Sequence, residues 1–252
     1  MNVQVYANRQ LMGRAAADWV QQKISFLLEQ RQEVNMIFAA APSQNEFLEA
    51  LRHCSIDWHS VNAFHMDEYI GLTKKAPQGF GNFLKTRLFN QLKFKSVHYI
   101  DGCAEDLSEA CAYYSSLLNT YAPDIVCMGI GENGHVAFND PPVADFKDPA
   151  LVKVVELDNI CRNQQVNDGC FNDLGEVPTH AITLTIPALM RAPYISCVVP
   201  GTLKADAVYR TMHTTINESC PSTILRTKEN AVMFCDLDSS SLLKINELGA
   251  FI

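Results

Sequence analysis

The residues of this 252-residue chain best suited to acid–base chemistry are Asp67, Glu68 and His135. Asp67 and Glu68 follow the apolar run Val61 to Met66, and His135 lies in a glycine-rich loop after the run Asp124 to Ile130. A carboxylate and an imidazole can exchange protons near neutral pH when their surroundings adjust their pKa values. These positions predict proton transfer, with one carboxylate facing a ligand crevice and the other facing away. A helix cap or a solvated pair of charges is the alternative for Asp67 and Glu68.

The loop around His135 reads Gly129-Ile-Gly-Glu-Asn-Gly-His-Val-Ala-Phe-Asn-Asp-Pro-Pro142. Gly129, Gly131 and Gly134 match the GxGxxG spacing of a dinucleotide site. We reject that interpretation because such a motif opens a long helix, whereas Pro141 and Pro142 stop regular structure within about two turns. Instead, the glycines are expected to let the backbone turn sharply and approach a small ligand. Asp140, in the same loop, is the carboxylate expected to hold the imidazole of His135.

A site for an anion is predicted where two further apolar runs end. Lys204 lies in the turn that follows the run Tyr194 to Val199, at the start of a helix. Backbone N–H groups at a helix start can hold a phosphate together with an ammonium group. Ser43 and Gln44 follow the run Val34 to Ala41 in a similar position. The alternative for Lys204 is simple solvation, which is the state of most lysines.

The elements that position these residues alternate between helical spacing and short apolar runs. Helical spacing is found over residues 11–30, 44–52, 80–91 and 106–119. The apolar runs cover residues 34–41, 61–66, 97–100, 124–130, 152–157, 180–186, 194–199 and 231–235. This alternation predicts an α/β fold of three layers, a mainly parallel sheet with helices on both faces. In such sheets ligands bind beyond the carboxyl ends of the strands, which is where the candidate residues lie.

Composition indicates one globular domain over residues 1–252 with a small molecule as its partner. The chain is 48% hydrophobic, and its net charge of −8 without a run of Lys or Arg argues against a nucleic acid or an anionic membrane surface. No apolar stretch approaches the roughly 20 residues of a membrane span, and the N-terminus lacks a signal-peptide pattern. Residues 139–172 show little pattern and are the candidate for a mobile flap.

The nine cysteines are scattered singly, without a CxxC pair or a Cys/His cluster at zinc spacing. Several lie in apolar runs, where free cysteine behaves as a small hydrophobe. This usage predicts a cytoplasmic protein with no metal site. Neither a Gly-x-Ser-x-Gly elbow nor a locally supported Cys/His pair indicates nucleophilic catalysis. The histidines in or beside strands, His65, His98 and His180, are expected to be packed.

Four motifs in order resemble the glucosamine-6-phosphate deaminase/isomerase family, which shares its fold with 6-phosphogluconolactonases. They are Met66-Asp-Glu-Tyr-Ile-Gly-Leu72, the loop from Gly129 to Pro141, Val177-Pro-Thr-His-Ala-Ile-Thr-Leu-Thr185, and the turn Gly201–Lys204. The resemblance runs from the strand near Val34 to Cys235 and implies a Rossmann-like fold of the deaminase/isomerase type. Lactonases share the Gly-His and Ile-Thr-Leu-Thr elements, but Asp-Glu-Tyr and the Ala-Phe-Asn after Gly-His resemble the deaminase branch.

The resemblance implies conversion of glucosamine 6-phosphate, or a related hexosamine 6-phosphate, to a ketose phosphate and ammonia. Asp67 would move a proton between C2 and C1 of the open-chain sugar. His135, with Asp140 and Asn133, would open the sugar ring. The implied sugar-phosphate contacts are Ser43, Gln44, Glu68, Gly131, Gly134 and Lys204. No metal or cofactor is implied, and a homo-oligomer is compatible with the family.

The chain departs from the family pattern at four places. Asn133 stands where the family often has Asp, and Asp140 where it has Glu. The phosphate loop, normally rich in Gly and Thr, reads Ala39-Ala-Ala-Pro-Ser43. The arginine of an Asn-Ala-Arg-Phe-Phe segment is replaced within residues 167–171, and Arg162 is the nearest substitute. Because losing a bidentate phosphate partner is not neutral, the substrate could be a different amino-sugar phosphate.

Two alternatives therefore stay open, a 6-phosphogluconolactonase-like hydrolase and a non-catalytic sugar-phosphate-binding protein. The resemblance also bears on regulation, because some members have a basic cluster that binds an N-acetylated sugar phosphate. The corresponding stretch here has only Lys147 and Lys153, beside Asp145 and Asp148. We therefore predict no activation by such a ligand.

Overall fold

Strands and helices alternate along the chain in a computed structural model, which describes residues 1–244 and 250–251. The strands are β1 (Asn2–Tyr6), β2 (Val34–Phe38), β3 (Val61–His65), β4 (Asp67–Tyr69), β5 (Ser96–His98), β6 (Ile125–Met128), β7 (Val152–Glu156), β8 (His180–Leu184), β9 (Tyr194–Val199), β10 (Ala231–Asp236) and β11 (Ala250–Phe251). The helices are α1 (Arg9–Leu28), α2 (Asn45–Arg52), α3 (Phe80–Leu84), α4 (Leu107–Thr120), α5 (Asn159–Asn167), α6 (Ile186–Leu189) and α7 (Ala205–His213).

Eight strands form one parallel sheet in the order β11-β1-β10-β9-β6-β2-β3-β5. From β2 the chain proceeds outward to β3 and β5, and it then returns to place β6 on the other side of β2. The loops that follow β2 and β6 therefore diverge from neighbouring strands. This divergence opens a crevice at the carboxyl ends of the sheet, where ligands bind in open α/β folds.

The three remaining strands form a separate antiparallel sheet in the order β4-β8-β7. The runs at 152–157 and 180–186 thus belong to this second sheet, and the larger sheet is the predicted parallel one. The chain passes from one sheet to the other at Met66, whose N–H donates to Phe38 in the parallel sheet. The carbonyl of Met66 accepts from the N–H of Leu184 in the antiparallel sheet. Asp67 is consequently the first residue of β4 and does not end the apolar strand before it.

Apolar side chains pack on both faces of the parallel sheet, which gives the three predicted layers. Successive side chains of a strand face opposite sides, so Met36 and Phe38 pack with α1 and α2, while Ile37 packs with α4, α6 and α7. Complete burial of a side chain of this size stabilises the fold by about 1.5–3 kcal/mol. The sheet is thereby held from both sides, and its strand ends provide fixed attachment points for the loops.

The sequence patterns missed five elements, namely β1, β4, α5, α6 and β11. Strand β1 was not predicted, and α5 lies in the stretch 139–172 that shows little pattern. Helix α5 begins after Asp158, whose side chain accepts a hydrogen bond from the N–H of Cys161. The predicted helix over 80–91 is observed as α3 followed by a π-helical segment over Lys85–Phe89. Strand β7 and helix α5 thus lie within residues 139–172. Movement of this stretch as a flap stays a prediction.

Two expectations from composition can be compared with the described residues. None of the helices within residues 1–244 combines the length and apolar character that crossing a bilayer requires. All nine cysteines are free thiols, and most are buried.

The three histidines predicted to be packed differ in burial. His65 is fully buried and His98 is half-buried, whereas His180 is exposed. The prediction that His180 is packed was therefore wrong.

Candidate active site

A narrow cleft lies where the chain leaves β2, β6 and β9, next to the start of β4. Six predicted residues line it, namely Ser43, Gln44, Asp67, Gly131, His135 and Lys204. The other lining residues are Ala39, Ala40, Ala41, Met66, Phe80, Gly129, Ile130, Ala137, Phe138, Gln164 and Gln165. The structure thus brings together an acid, an imidazole and an ammonium group that are distant in the sequence.

Asp67 presents a free carboxylate to the cleft. Its residue is 6% exposed, and its side chain accepts no hydrogen bond from any residue of the described part of the chain. Burial raises the pKa of Asp67 well above its usual range, and the charge of Glu68 raises it further. A carboxyl group with a raised pKa and no fixed partner is suited to taking up and returning a proton.

His135 lies against a buried carboxylate. Its Nδ1 atom is 2.8 Å from Oδ1 of Asp140, which also accepts a hydrogen bond of 2.8 Å from the amide of Asn133. Burial acts to raise the pKa of Asp140, but the charge of His135 and the hydrogen bonds outweigh it and the pKa is lowered. Asp140 is therefore ionised at neutral pH and can fix the orientation of the imidazole, while the ring of His135 reaches the cleft.

Local backbone geometry places the imidazole. A Cβ atom at Gly131 would lie 2.2 Å from Cε1 of His135, so only glycine leaves room for the ring there. Gly134 has a φ of +86°, in the left-handed region that glycine adopts without strain, and Ala137 adopts a φ of +49°. The amide of Asn139 donates to the carbonyls of Val136 and Leu184, which ties the loop to β8.

Glu68 and Gly134 do not line the cleft, although both were predicted to bind the sugar phosphate. The carboxylate of Glu68 accepts hydrogen bonds of 2.8–2.9 Å from the N–H groups of Tyr69, Phe80 and Gly81. Glu68 therefore caps the first turn of α3, which is the alternative that the sequence left open for this pair. Gly134 faces Cys220 and accepts a backbone hydrogen bond from Ser222, so its role is to shape the loop.

Lys204 is the cation of the cleft. It is 6% exposed, and it forms neither a hydrogen bond nor a salt bridge with any residue that the structure describes. Burial lowers the pKa of Lys204, while the charges of Asp168 and Glu132 act in the opposite direction. The turn before it is fixed by Asp236, whose carboxylate accepts from the N–H of Gly201 at 3.0 Å. An unpartnered ammonium group is well placed to bind an anion.

The loop after β2 adds neutral groups on the same side. The amide of Gln44 donates to Oγ of Ser43 and to the carbonyl of Val198, both at 3.2 Å. Its Oε1 atom is buried without a hydrogen-bond partner. Both side chains therefore offer polar atoms at the edge of the cleft, as predicted from their position after the strand.

Helix α5 contributes residues that the sequence analysis missed. Gln164 and Gln165 are both buried and line the cleft, and Oε1 of Gln164 accepts from the N–H of Glu132. No chemical motif marks them, and the signal that could have located them is the N-cap Asp158 in front of a short helix. Arg162 was considered a substitute phosphate ligand, but it lies outside the cleft and donates to the carbonyls of Leu174 and Val177.

One group of side chains has metal-ligand atoms close together. Single ligand atoms of His135, Asp140 and Cys161 lie within 4.8 Å of one another, and all three residues are buried. The distance of 2.8 Å between Nδ1 of His135 and Oδ1 of Asp140 is that of a close imidazole–carboxylate ion pair. We therefore interpret His135 and Asp140 as an acid–base pair.

A wider groove of about 730 Å³ lies between α1 and α2, outside the cleft. Its charged residues are balanced in sign, with Arg14, Arg52 and Arg87 facing Asp18, Glu46 and Glu49. It contains none of the predicted site residues. The chemistry of the side chains, rather than the size of the space, therefore identifies the cleft as the candidate active site.

Comparison with curated proteins finds glucosamine-6-phosphate deaminases. The protein of that name from Bacillus cereus (strain B4264) is 35% identical over 192 residues, which are 76% of this chain and 71% of that protein. The deaminase of Bacillus cytotoxicus is 33% identical over the same shares of both chains.

Comparison with solved structures shows the same fold in two kinds of enzyme. A monomeric glucosamine-6-phosphate deaminase superposes with a TM-score of 0.87 at 24% identity, covering 96% of this chain and 100% of that one. The 6-phosphogluconolactonase of Thermotoga maritima superposes with a TM-score of 0.76 at 20% identity, covering 93% and 99%. The sequence model of the family described as glucosamine-6-phosphate isomerases/6-phosphogluconolactonase matches residues 7–234. Because that match spans most of the sequence, the chain belongs to the glucosamine-6-phosphate isomerase/6-phosphogluconolactonase family.

Proposed function

We propose that this protein is a glucosamine-6-phosphate deaminase, acting on glucosamine 6-phosphate or a closely related hexosamine 6-phosphate. The observation that carries the proposal is the unpartnered, buried carboxylate of Asp67 in the same cleft as the imidazole of His135. An aldose–ketose conversion requires two functions. One is a base that takes a carbon-bound proton, and the other is a separate acid–base group that exchanges protons with oxygen. The deaminases named above support the same activity.

In the proposed reaction His135 first opens the pyranose ring. Its imidazole takes the proton of the C1 hydroxyl and returns a proton to the ring oxygen, which leaves an open-chain aldehyde. Asp140 is ionised and holds Nδ1, so the Nε2 atom is the one available to the sugar. Asn133 donates to the same carboxylate oxygen and completes this arrangement.

Asp67 then transfers a proton between two carbons. It takes the proton from C2 while the C1 oxygen gains a proton from water, which produces an enolamine, and it returns the proton to C1 while the nitrogen loses a proton to water. The product is a 2-imine, and water hydrolyses the imine to ammonia and the ketose 6-phosphate. The raised pKa of Asp67 makes the carboxylate a stronger base than an exposed aspartate and keeps the transferred proton in the cleft.

The phosphate is proposed to bind on the side of Lys204, Ser43 and Gln44. Lys204 supplies the positive charge, and the hydroxyl of Ser43 and the amides of Gln44 and Gln165 supply neutral polar groups. One cation and several neutral groups hold a phosphate less strongly than a lysine and an arginine together. Proton transfer itself uses a carboxylate and an imidazole, for which side chains of the chain suffice. The free thiols of all nine cysteines support a location in the reducing cytoplasm.

Ammonia release from purified protein supplied with glucosamine 6-phosphate tests the proposal directly. Parallel assays with galactosamine 6-phosphate and mannosamine 6-phosphate show which configurations at C4 and C2 of the sugar the protein accepts. Asp67→Asn is expected to abolish turnover while leaving substrate binding within about threefold, because the amide keeps the shape of the carboxylate without its basicity. Folded protein that releases ammonia from none of the three sugars would contradict the proposal.

The lactonase alternative shares the fold, and its assay is hydrolysis of 6-phosphogluconolactone. Hydrolysis of a lactone moves no carbon-bound proton, and a base would serve in it only to activate water; the Asp-Glu-Tyr motif that contains Asp67 resembles the deaminase branch instead. We therefore expect deamination to exceed lactone hydrolysis in the same preparation. Thermal stabilisation by hexosamine 6-phosphates without turnover of either substrate would instead favour a sugar-phosphate-binding protein.

A further inference from the structure

His65 is a fully buried histidine whose two ring nitrogens are both in contact with the backbone. Its Nε2 atom accepts a hydrogen bond of 2.9 Å from the N–H of Ile100, just beyond β5. Its Nδ1 atom lies 2.8 Å from the carbonyl oxygen of Asp67. Because an N–H group can only donate, Nε2 is the acceptor and the ring proton is on Nδ1, where it donates to Asp67. Burial lowers the pKa of His65 to about 4, which agrees with a neutral ring.

The hydrogen bond to Asp67 lies where the chain changes sheets. His65 is the last residue of β3 and Asp67 is the first residue of β4, with only Met66 between them. The carbonyl and the carboxylate belong to the same residue, so a hydrogen bond that fixes the carbonyl also restricts the backbone from which the carboxylate projects. The carboxylate has no hydrogen bond of its own, and its placement therefore depends on contacts of the backbone.

A second anchor acts on the next residue of the strand. The carboxylate of Glu68 is held by N–H groups of Tyr69, Phe80 and Gly81 on the side of β4 away from the cleft. Strand β4 pairs with β8 in a register that places Asp67 opposite Thr183, and this pairing fixes the position of β4 along its own axis. His65 is the one side chain of the described residues that hydrogen-bonds the carbonyl of Asp67 itself.

The backbone of His65 is held independently of its ring. The hydroxyl of Tyr114 accepts from the N–H of His65 at 3.1 Å and donates to its carbonyl at 2.9 Å. Pairing of β3 with β2 and β5 adds the ladder hydrogen bonds of the strand. Replacing the imidazole therefore leaves β3 supported and removes support from Asp67.

We propose that His65 is a positioning residue for the catalytic base: its imidazole links the end of β5 to the carbonyl of Asp67 and holds the carboxylate at the reacting carbons. The inference rests on the proposed role of Asp67 in proton transfer. A positioning residue of this kind affects the proton-transfer step more than the binding of the sugar phosphate. Small displacements of a catalytic group are costly, since about 1 Å can reduce a rate roughly 100-fold.

Three substitutions separate the two hydrogen bonds of the ring. His65→Asn places an amide near Nδ1 and can keep the bond to Asp67, whereas His65→Gln places one near Nε2 and can keep the bond to Ile100. His65→Leu fills similar space and keeps neither. We expect kcat to fall about tenfold or more in the Gln and Leu variants and by less than threefold in the Asn variant. KM is expected to stay within about threefold of the wild-type value in all three.

The measurements are steady-state ammonia release and exchange of the C2 proton of the substrate with solvent deuterium. Slower exchange in the Gln and Leu variants, with rescue in the Asn variant, would support positioning of the base. Far-UV circular dichroism and thermal melting identify a variant that fails to fold. If His65→Leu fails to fold, the comparison of exchange rates between His65→Asn and His65→Gln decides the outcome. His98→Asn, one strand away on β5, is the matched control, because His98 contacts Ser96 and not Asp67.

The outcomes distinguish this inference from the proposed function. If Asp67→Asn abolishes exchange and both the Gln and the Leu variants exchange at the wild-type rate, His65 does not position the base. A uniform loss in all three variants, with raised KM, would indicate a general structural role and would also overturn the inference. If Asp67→Asn exchanges normally, the assignment of the base itself is wrong.

Discussion

The Nδ1 atom of His135 and the Oδ1 atom of Asp140 lie 2.8 Å apart in a buried pair, and the amide of Asn133 donates to the same oxygen. The three residues belong to one loop, in which Gly131 leaves the space that the imidazole occupies. One carboxylate therefore orients the histidine and balances the positive charge that develops on it during ring opening.

Asp140→Asn is expected to lower kcat about 100-fold or more and to change KM little. An amide can present its N–H to Nδ1, which favours the wrong tautomer and removes the balancing charge. Kinetics of ammonia release with glucosamine 6-phosphate measure the effect. Asp145→Asn, in an exposed turn outside the cleft, is the matched control, and equal rates in both variants would show that the pair has no catalytic role.

His135→Gln is expected to slow ring opening while leaving proton exchange at C2 intact for substrate that is already open. Glutamine keeps a polar group in the cleft but does not exchange protons near neutral pH. Turnover should therefore fall strongly, whereas exchange measured per open-chain molecule should stay near the wild-type rate. Loss of exchange per open-chain molecule would show that His135 acts on the carbon-bound proton instead.

Lys204→Met is expected to raise KM for a sugar phosphate about 10- to 100-fold, because a charge-assisted hydrogen bond contributes about 1.5–3 kcal/mol. Its effect on kcat should be smaller, since the ammonium binds the phosphate in the ground state and the transition state alike. Lys204→Arg keeps the charge and is the control. Inhibition by inorganic phosphate gives a second measurement, and unchanged inhibition in the Met variant would place the anion elsewhere.

Protonation of His65 is expected to make the protein less stable in mild acid. The pKa of His65 is lowered to about 4 from an ordinary value near 6.5, so the unfolded chain binds more protons between these values. The contribution of His65 to the free energy of unfolding is full above pH 6.5 and declines as the pH falls toward 4, by on the order of 3 kcal/mol.

Denaturant unfolding at several pH values between 4 and 7 measures this dependence. His65→Asn does not titrate and should show a shallower fall in stability toward low pH than the wild type. His59→Asn, at an exposed position, should follow the wild-type curve. Identical slopes for His65→Asn and the wild type would mean that folding does not lower the pKa of His65.

An N-acetylated hexosamine 6-phosphate is expected to leave the rate of ammonia release unchanged. In the stretch where some family members carry a basic cluster, Lys153 donates to Asp148 and to the carbonyl of Val143, both at 2.8 Å. Its ammonium group is therefore engaged within the chain. Initial rates with and without N-acetylglucosamine 6-phosphate check this expectation, and a several-fold rise would refute it.

The sequence was sufficient to predict the layers of the fold and the loops that form the cleft. Apolar runs such as Tyr194 to Val199 are strong local signals, and positions just after such runs gave Asp67, His135 and Lys204. The partners of the strands were harder to predict, because β7 and β8 have ordinary strand patterns and join β4 through contacts distant in sequence. Pairing of this kind depends on the whole fold.

The facing of individual side chains was the least predictable property of the site. Asp67 and Glu68 have similar chemistry, and only the change of sheet at Met66 decides that the first faces the cleft and the second caps α3. Gln164 and Gln165 are neutral, and they follow from the docking of α5 rather than from a motif. Their burial beside Lys204 depends on tertiary packing, which a single sequence does not reveal.

The cleft has two walls of different origin. Strand ends of the sheets carry the proton-handling groups, whereas the short helix α5 brings Gln164 and Gln165 from a stretch outside both sheets. Helix α5 also contacts the loop that carries His135, because Oε1 of Gln164 accepts from the N–H of Glu132 and Cys161 lies beside Asp140. A change in this helix is therefore expected to reach the proton-handling loop as well, so that variants of α5 would change binding and rate together.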